Sequence, residues 1–317
     1  MNIVEAIEMA NNVEQPQPTV VDLKGQRWIK GIIISLTGDG HATALTRSLI
    51  KSIKDSKSRI TPLILDASTP TTYKHDLNAI TYINPIGDWA WTYPAFDHEN
   101  RLDLKTGLYM KAYRANNIQK VIACMVSHMR AWQMCIDMNE PIMVLEQDAY
   151  FQRRFTWEML TKPAPLKKIE PYHFERWMNT PELQALQGDD KDKYNKMMNH
   201  LSKEPEGTFT GGILGLNSPL GATRKASIFH DQLHGRYGFH RVPSVDRIGD
   251  DPLPQGLAGN SAYIIKPWAA KKVLEKVAEV GMWPNDAIMC KQFFPWMQTC
   301  WPYFTAIQKG TISTTTG

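Results

Sequence analysis

Ile29-Lys-Gly-Ile-Ile-Ile-Ser-Leu36, the turn Thr37-Gly-Asp-Gly40, the run from His41 to Lys54 and then Arg59-Ile-Thr-Pro-Leu-Ile-Leu-Asp66 together decide the fold. The first segment is β-branched and apolar and stops at a glycine-rich turn, which predicts a buried strand from Ile29 to Leu36. Leu45, Leu49 and Ile53 then recur at every fourth residue, which predicts a helix from His41 to Lys54. Arg59 to Asp66 reads as a second strand. A strand, a helix and a strand in succession make a β-α-β unit, whose strands pair in parallel. The expected class is therefore α/β, a mostly parallel sheet flanked by helices.

Working outward, residues 118–138 carry the clearest helical pattern. Ile118, Val121, Ile122, Met125, Met129, Trp132 and Ile136 repeat at spacings of three and four. Asn139-Glu-Pro141 stops that helix, and Pro141 to Leu145 follows as a buried strand. Further strands are expected at Phe209 to Leu216 and Ala258 to Ile265, a helix at Trp268 to Val280, and a short helix after Pro284. The glycines of Phe209-Thr-Gly-Gly-Ile-Leu-Gly-Leu216 lack P-loop spacing and read as close backbone approach. Residues 67–117 interleave Trp89, Trp91, Tyr93, Phe96, Tyr109 and Tyr113 with prolines and glycines. They are read as a loop packing its aromatics on the sheet, or as a lid. Residues 162–202 are polar and read as part of an insertion.

Composition sets the outer limits. The 317 residues are 43% hydrophobic and 21% charged, which excludes a disordered, collagenous or coiled-coil chain. Cys124, Cys135, Cys290 and Cys300 form no CxxC pair, so neither a zinc cage nor a disulfide framework is expected, and a cytoplasmic, reduced protein is. The N-terminus is acidic and amphipathic, unlike a signal peptide. No apolar run approaches the roughly 20 residues of a membrane span. A net charge of +4 tolerates a polyanionic partner without requiring one.

The sharpest chemical feature is Val144-Leu-Glu-Gln-Asp148. Two carboxylates sit where an apolar strand leaves the sheet, and ligands of open α/β sheets bind beyond the carboxyl ends of strands. Glu146 and Asp148 there suit a hard divalent cation, Mg²⁺ or Mn²⁺, on a diphosphate. The spacing is equally served by two acids opening a helix. His128 reads either as a satisfied core histidine or as a ligand to donor phosphate or acceptor, and Ser127 beside it as a packing or donor-binding residue.

Ala123-Cys-Met-Val-Ser-His-Met-Arg-Ala-Trp132, followed by Asn139-Glu-Pro-Ile-Met-Val-Leu-Glu-Gln-Asp148, resembles glycosyltransferase family 25. A Ser-His helix with a following Trp, and a strand ending in Leu-Glu-Asp-Asp, mark that family. The strand at Ile32 to Leu36, the stretch from Gly259-Asn-Ser-Ala-Tyr to Lys-Lys-Val-Leu274, and Pro284-Asn-Asp286 match it in order. The resemblance implies a GT-A-type fold in a single domain over residues 1–317. Its donor half would span about 28–150, a polar insertion about 151–207 and an acceptor half about 208–317. It also implies a nucleotide-sugar-dependent, inverting transfer, with a UDP-sugar held near Ser35, Leu36, Thr37, Ser127, His128, Glu146, Gln147 and Asp148. Asp286 would take the acceptor's proton, with Asp250 and Asp251 as competing bases. Two departures stand out. The middle acid of Glu-Asp-Asp is Gln147, and Thr37-Gly-Asp-Gly40 replaces the arginines usual after the first strand.

The acceptor is read from residues 222–247. Arg224, Lys225, Arg236, Arg241 and Arg247 oppose Asp231 and Asp246, with Phe229, Tyr237 and Phe239 interleaved. Cations and aromatics together suit a nucleic-acid backbone and an extruded base, and a solvated loop is the plainer reading. Asn260 joins this acceptor set. The stretch 283–292 and the tail 313–316 also resemble family-25-like proteins of large tailed phages, which implies glycosylation of hydroxymethylated bases such as 5-hydroxymethylcytosine in DNA. A glycan acceptor, as in lipopolysaccharide assembly, is the alternative, and a degenerate binding module is the second.

Overall fold

The computed structural model describes residues 25–83, 101–103, 108–110, 117–161, 208–219, 230–242 and 260–308. In chain order the elements begin with strand β1 (Ile29–Ser35), helix α1 (Gly40–Asp55), strand β2 (Ile60–Asp66) and the short helix α2 (Tyr73–Asp76). Strands β3 (Arg101–Asp103) and β4 (Leu108–Met110), helix α3 (Ile118–Met138), strands β5 (Ile142–Glu146) and β6 (Ala149–Phe151) and helix α4 (Glu158–Thr161) follow. The second half holds β7 (Ile213–Gly215), β8 (Gly238–Arg241), β9 (Ala262–Ile265), α5 (Pro267–Val280), α6 (Asn285–Ile288), β10 (Gln298–Trp301) and β11 (Thr305–Ile307).

Seven strands form one sheet in the order β2-β1-β5-β9-β7-β10-β8. β1 pairs in parallel with both β2 and β5, and β7 pairs in parallel with β10. β9 runs antiparallel to β5 and β7, and β8 runs antiparallel to β10. Five strands therefore point one way and only β9 and β8 run against them. The α/β class and the mostly parallel direction are as the sequence pattern implies.

Local chemistry explains the element ends. Asp39 caps α1, its side chain accepting from the Ala42 N–H at 2.7 Å. Asn117 caps α3 in the same way through Lys120 N–H. Asn139 closes α3 in the left-handed region, at φ 48°. Pro267 occupies the start of α5, where no N–H is needed. Pro62 sits in β2, an edge strand, where its missing donor breaks no ladder on the free side.

Alternation along the strands divides the core. Ile32 and Val144 face α3 and α5, packing with Met129, Trp132, Tyr263 and Val273. Ile33, Met143 and Leu145 face the other side, with Leu49 of α1, Phe155 and Ile264. The β6–β11 ribbon lies over this second side and fixes the chain as it leaves β5. Trp89, Trp91, Tyr93, Phe96 and Tyr113, the polar run 162–202, and the Thr-rich tail 313–316 lie outside the described residues.

Candidate active site

The parallel strands all end on the same side of the sheet, and Glu146 is the last residue of β5 there. Its neighbours come from three elements. α3 supplies Cys124 and His128, four residues apart and so on one face of the helix. The entry to β9 supplies Asn260, Ser261 and Tyr263, and α6 supplies Asn285 and Asp286.

His128 is fully buried and makes the site's central contacts. The Trp132 indole N–H donates to the Tyr263 hydroxyl oxygen at 2.7 Å. Tyr263 keeps its own proton for His128 Nδ1, 2.9 Å away. His128 Nε2–H is then free to point at Glu146 Oε1, at 3.1 Å. Asn285 Nδ2 lies 3.1 Å from the same Nε2, an N–H₂ group that donates to this nitrogen only in the other tautomer. The two readings of His128 thus merge: it is a buried, satisfied histidine whose partner is the candidate ligand Glu146.

Burial, then the charges of Glu146, Asp286 and Asp148, push the Cys124 thiol well above its ordinary range. Asp148 is itself pushed up to about 7, first by burial and then by Glu146. Its Oδ1 is buried with no hydrogen-bond partner, as are Asn260 Oδ1 and Ser261 Oγ. An unpaired buried oxygen costs about 1–3 kcal/mol. A carboxylate oxygen with no donor beside a second carboxylate fits a cation, so Glu146 and Asp148 suit the ion the fold family implies. Asp286 lies exposed in the first turn of α6, where a substrate hydroxyl can reach it.

Other sequence-chosen residues have structural tasks. Ser35 Oγ and Thr46 Oγ1 share a buried hydrogen bond at 2.7 Å. Leu36 N–H donates to Gln147 Oε1 at 3.1 Å. Thr37 donates through both its N–H and its hydroxyl to Asp66. Ser127 Oγ accepts from Ser68 N–H and donates to the Ala123 carbonyl, holding the segment after β2 against α3. The Asn260 amide N–H₂ group lies 4.0 Å from Met289 Sδ, beside the unpaired Oδ1.

Of the acceptor set, Phe239 requires a correction. It is buried in the core with Leu233 and Cys300, which leaves its ring no open face for a substrate to stack on. Tyr237 is 43% exposed and Arg236 half-buried, just before β8. Gly238 pairs with Trp301 at the end of β10, so both lie on the Glu146 side of the sheet. Four strand spacings separate β8 from β5, or roughly 19 Å. Arg241 has its own interactions within the fold. Arg224, Asp250 and Asp251 lie outside the described residues. Beside Tyr237, His230, His234, Trp301 and Tyr303 form an aromatic cluster, with His234 and Trp301 ring centroids 4.8 Å apart.

The sequence reading missed Cys124, Tyr263 and Asn285 as site residues. The Cys124/His128 spacing was a usable signal. For Tyr263 and Asn285 the signal is only spatial. Among the described residues, no helix is long and apolar enough to cross a membrane.

The model of glycosyltransferase family 25 (LPS biosynthesis protein) matches residues 43–206, which is 164 of the 317. No curated protein matches the chain.

Proposed function

We propose, from the premise that this chain belongs to glycosyltransferase family 25 and is a glycosyltransferase enzyme, that it moves a sugar from a UDP-sugar to a hydroxyl with inversion. The observation that carries this reading is the placing of Glu146 and the unpaired Asp148 at the carboxyl end of β5, with the Asn285–His128 contact bringing α6 and its exposed Asp286 to the same end of the sheet. Glu146 and Asp148 would hold a Mn²⁺ or Mg²⁺ ion, which supplies charge neutralisation to the departing diphosphate. Asp286, exposed and at a helix start, accepts the proton of the acceptor hydroxyl. The acceptor oxygen bonds to the anomeric carbon as the bond to the diphosphate oxygen breaks, and UDP leaves. His128 and Tyr263 orient Glu146.

The acceptor is a glycan hydroxyl on the family's description, and the exposed His234 beside half-buried Trp301 gives a sugar ring faces to pack on. A second reading, a hydroxymethylated base in phage DNA, is favoured by exposed Tyr237 beside Arg236. The four free thiols support a cytoplasmic setting in either case.

The test incubates the enzyme and Mn²⁺ with a panel of UDP-sugars and either a lipopolysaccharide core glycan or DNA containing 5-hydroxymethylcytosine. Mass spectrometry of glycan and nucleosides reads the product. A hexose or pentose mass gained by one acceptor identifies it. No UDP release from any donor, with either acceptor, overturns the reading.

A further inference from the structure

Cys124, His128 and Glu146 each present a ligand atom, and these atoms all lie within 4.8 Å of one another. The set combines a thiol, an imidazole and a carboxylate, which is not the all-oxygen chemistry that Glu146 and Asp148 offer. We propose that these three residues form a second cation site, for a borderline divalent ion of the Zn²⁺ or Co²⁺ class, and that filling it withdraws Glu146 from the donor's cation. The proposal rests on the functional reading above for its consequence, though not for the site itself.

The geometry is close to what such an ion needs. Ligand atoms around a tetrahedral zinc, bonded at about 2.0–2.3 Å, stand roughly 3.3–3.6 Å apart. His128 Nε2 and Glu146 Oε1 are already 3.1 Å apart. Cys124 Sγ, one turn before His128 on the same helix face, stands within 4.8 Å of both. The imidazole is also preset. With an ion on Nε2 its proton moves to Nδ1, where it faces the Tyr263 hydroxyl oxygen at 2.9 Å. A hydroxyl accepts as well as donates, so this outer partner survives the exchange and keeps the ring oriented. Trp132, donating to the same oxygen, holds Tyr263 in place.

The chemistry of the surroundings points the same way. A thiolate selects Zn²⁺ or Co²⁺ over Mg²⁺ and Mn²⁺, which prefer oxygen. An ion on Glu146 Oε1 turns that oxygen away from the donor's cation and sets a second positive charge beside it, which weakens the donor cation's hold. Zinc should therefore inhibit transfer in competition with manganese, as a built-in sensor of the softer metal.

The test titrates the full-length, chelator-treated protein with Co²⁺ and follows the thiolate-to-cobalt charge-transfer absorption, then repeats with Zn²⁺ by calorimetry. One ion per chain and a thiolate band are expected. Cys124→Ser should abolish the band and weaken zinc binding by roughly tenfold or more. His128→Asn should do the same, with circular dichroism melts confirming that each variant folds. Transfer activity without a thiolate band, or a band retained in Cys124→Ser, overturns the proposal. A band in a protein that transfers no sugar from any donor upholds this site and overturns the functional reading instead.

Discussion

Asp148→Asn should have opposite effects on stability and on catalysis. Burial and the nearby Glu146 raise the Asp148 carboxyl from 3.8 to about 7. The folded protein thus holds this proton more tightly than the unfolded chain. Below about pH 4 both states are protonated and the residue costs nothing. As pH rises from about 4 to 7 the unfolded chain ionises first, and the folded state loses relative stability; above about 7 the loss levels off. A shift of about three units at 1.36 kcal/mol each gives a cost of about 4 kcal/mol, with about 2.5 kcal/mol accruing between pH 5 and pH 8. Asparagine keeps the volume and removes the charge. Urea denaturation in EDTA at pH 5 and pH 8 measures the difference. The wild type should lose about 2.5 kcal/mol more than the variant over that interval, and the variant should be the more stable at pH 8. With Mn²⁺ added, the wild type should gain thermal stability by mass action and the variant should not. The variant should also lose transfer. Equal pH dependence in both proteins would refute an uncompensated buried carboxylate at this position.

Three further outcomes test other parts of the site. Asp286→Asn should lower turnover by about 10²- to 10⁴-fold while donor affinity stays within about twofold, measured by steady-state kinetics and calorimetry; loss of donor binding would move Asp286 to the nucleotide site. Tyr263→Phe strips a partner from both Trp132 Nε1–H and His128 Nδ1, at about 1–3 kcal/mol for each buried group left unpaired. Chemical denaturation should show a loss of about 2–6 kcal/mol. If DNA is the acceptor, Arg236→Ala should flatten the salt dependence of duplex binding by about one unit and Tyr237→Ala should lower turnover more than affinity; a glycan acceptor predicts neither.

The first half of the fold was legible because its signals are local. The β1–α1–β2 unit rests on apolar runs, fourfold spacing and a capping Asp39, all within one stretch, and its observed ends differ from the expected ones by a residue. Strands β6, β8, β10 and β11 were not legible. They are three or four residues long, and their pairing comes from distant partners such as Thr305 with Phe151 and Gln298 with Arg241. Of the expected strands at 209–216 and 258–265, β7 and β9 hold only a part each; Phe209 and Leu216 pack in the core beyond the ends of β7. The same contrast holds for the site. Glu146 and Asp148 were visible because two acids ending an apolar strand need a reason. Phe239 was misassigned because aromatic composition does not say which side of a strand faces the core.

The departure from the family's Glu-Asp-Asp motif has a structural reading that bears on catalysis. Each residue of Glu146-Gln147-Asp148 is locked by a different element. Glu146 N–H donates to the Ser261 carbonyl at 2.8 Å, tying it to the entry of β9. Gln147 Oε1 accepts the Leu36 N–H, tying it to the end of β1. The Asp148 carbonyl accepts from Gln308 N–H at 2.8 Å, and the Gln308 side chain donates to the carbonyls of Gln147 and Ala149. The middle side chain therefore points back to the β1 exit, and the task it performs needs an acceptor oxygen. An amide supplies that oxygen as well as a carboxylate does. A third negative charge here would add to the repulsion that already raises Asp148, so glutamine keeps the lock and spares the outer pair that charge. The loss of the middle acid is accordingly no sign of a disabled enzyme: the outer pair, the buried histidine that orients it and the exposed Asp286 are all retained.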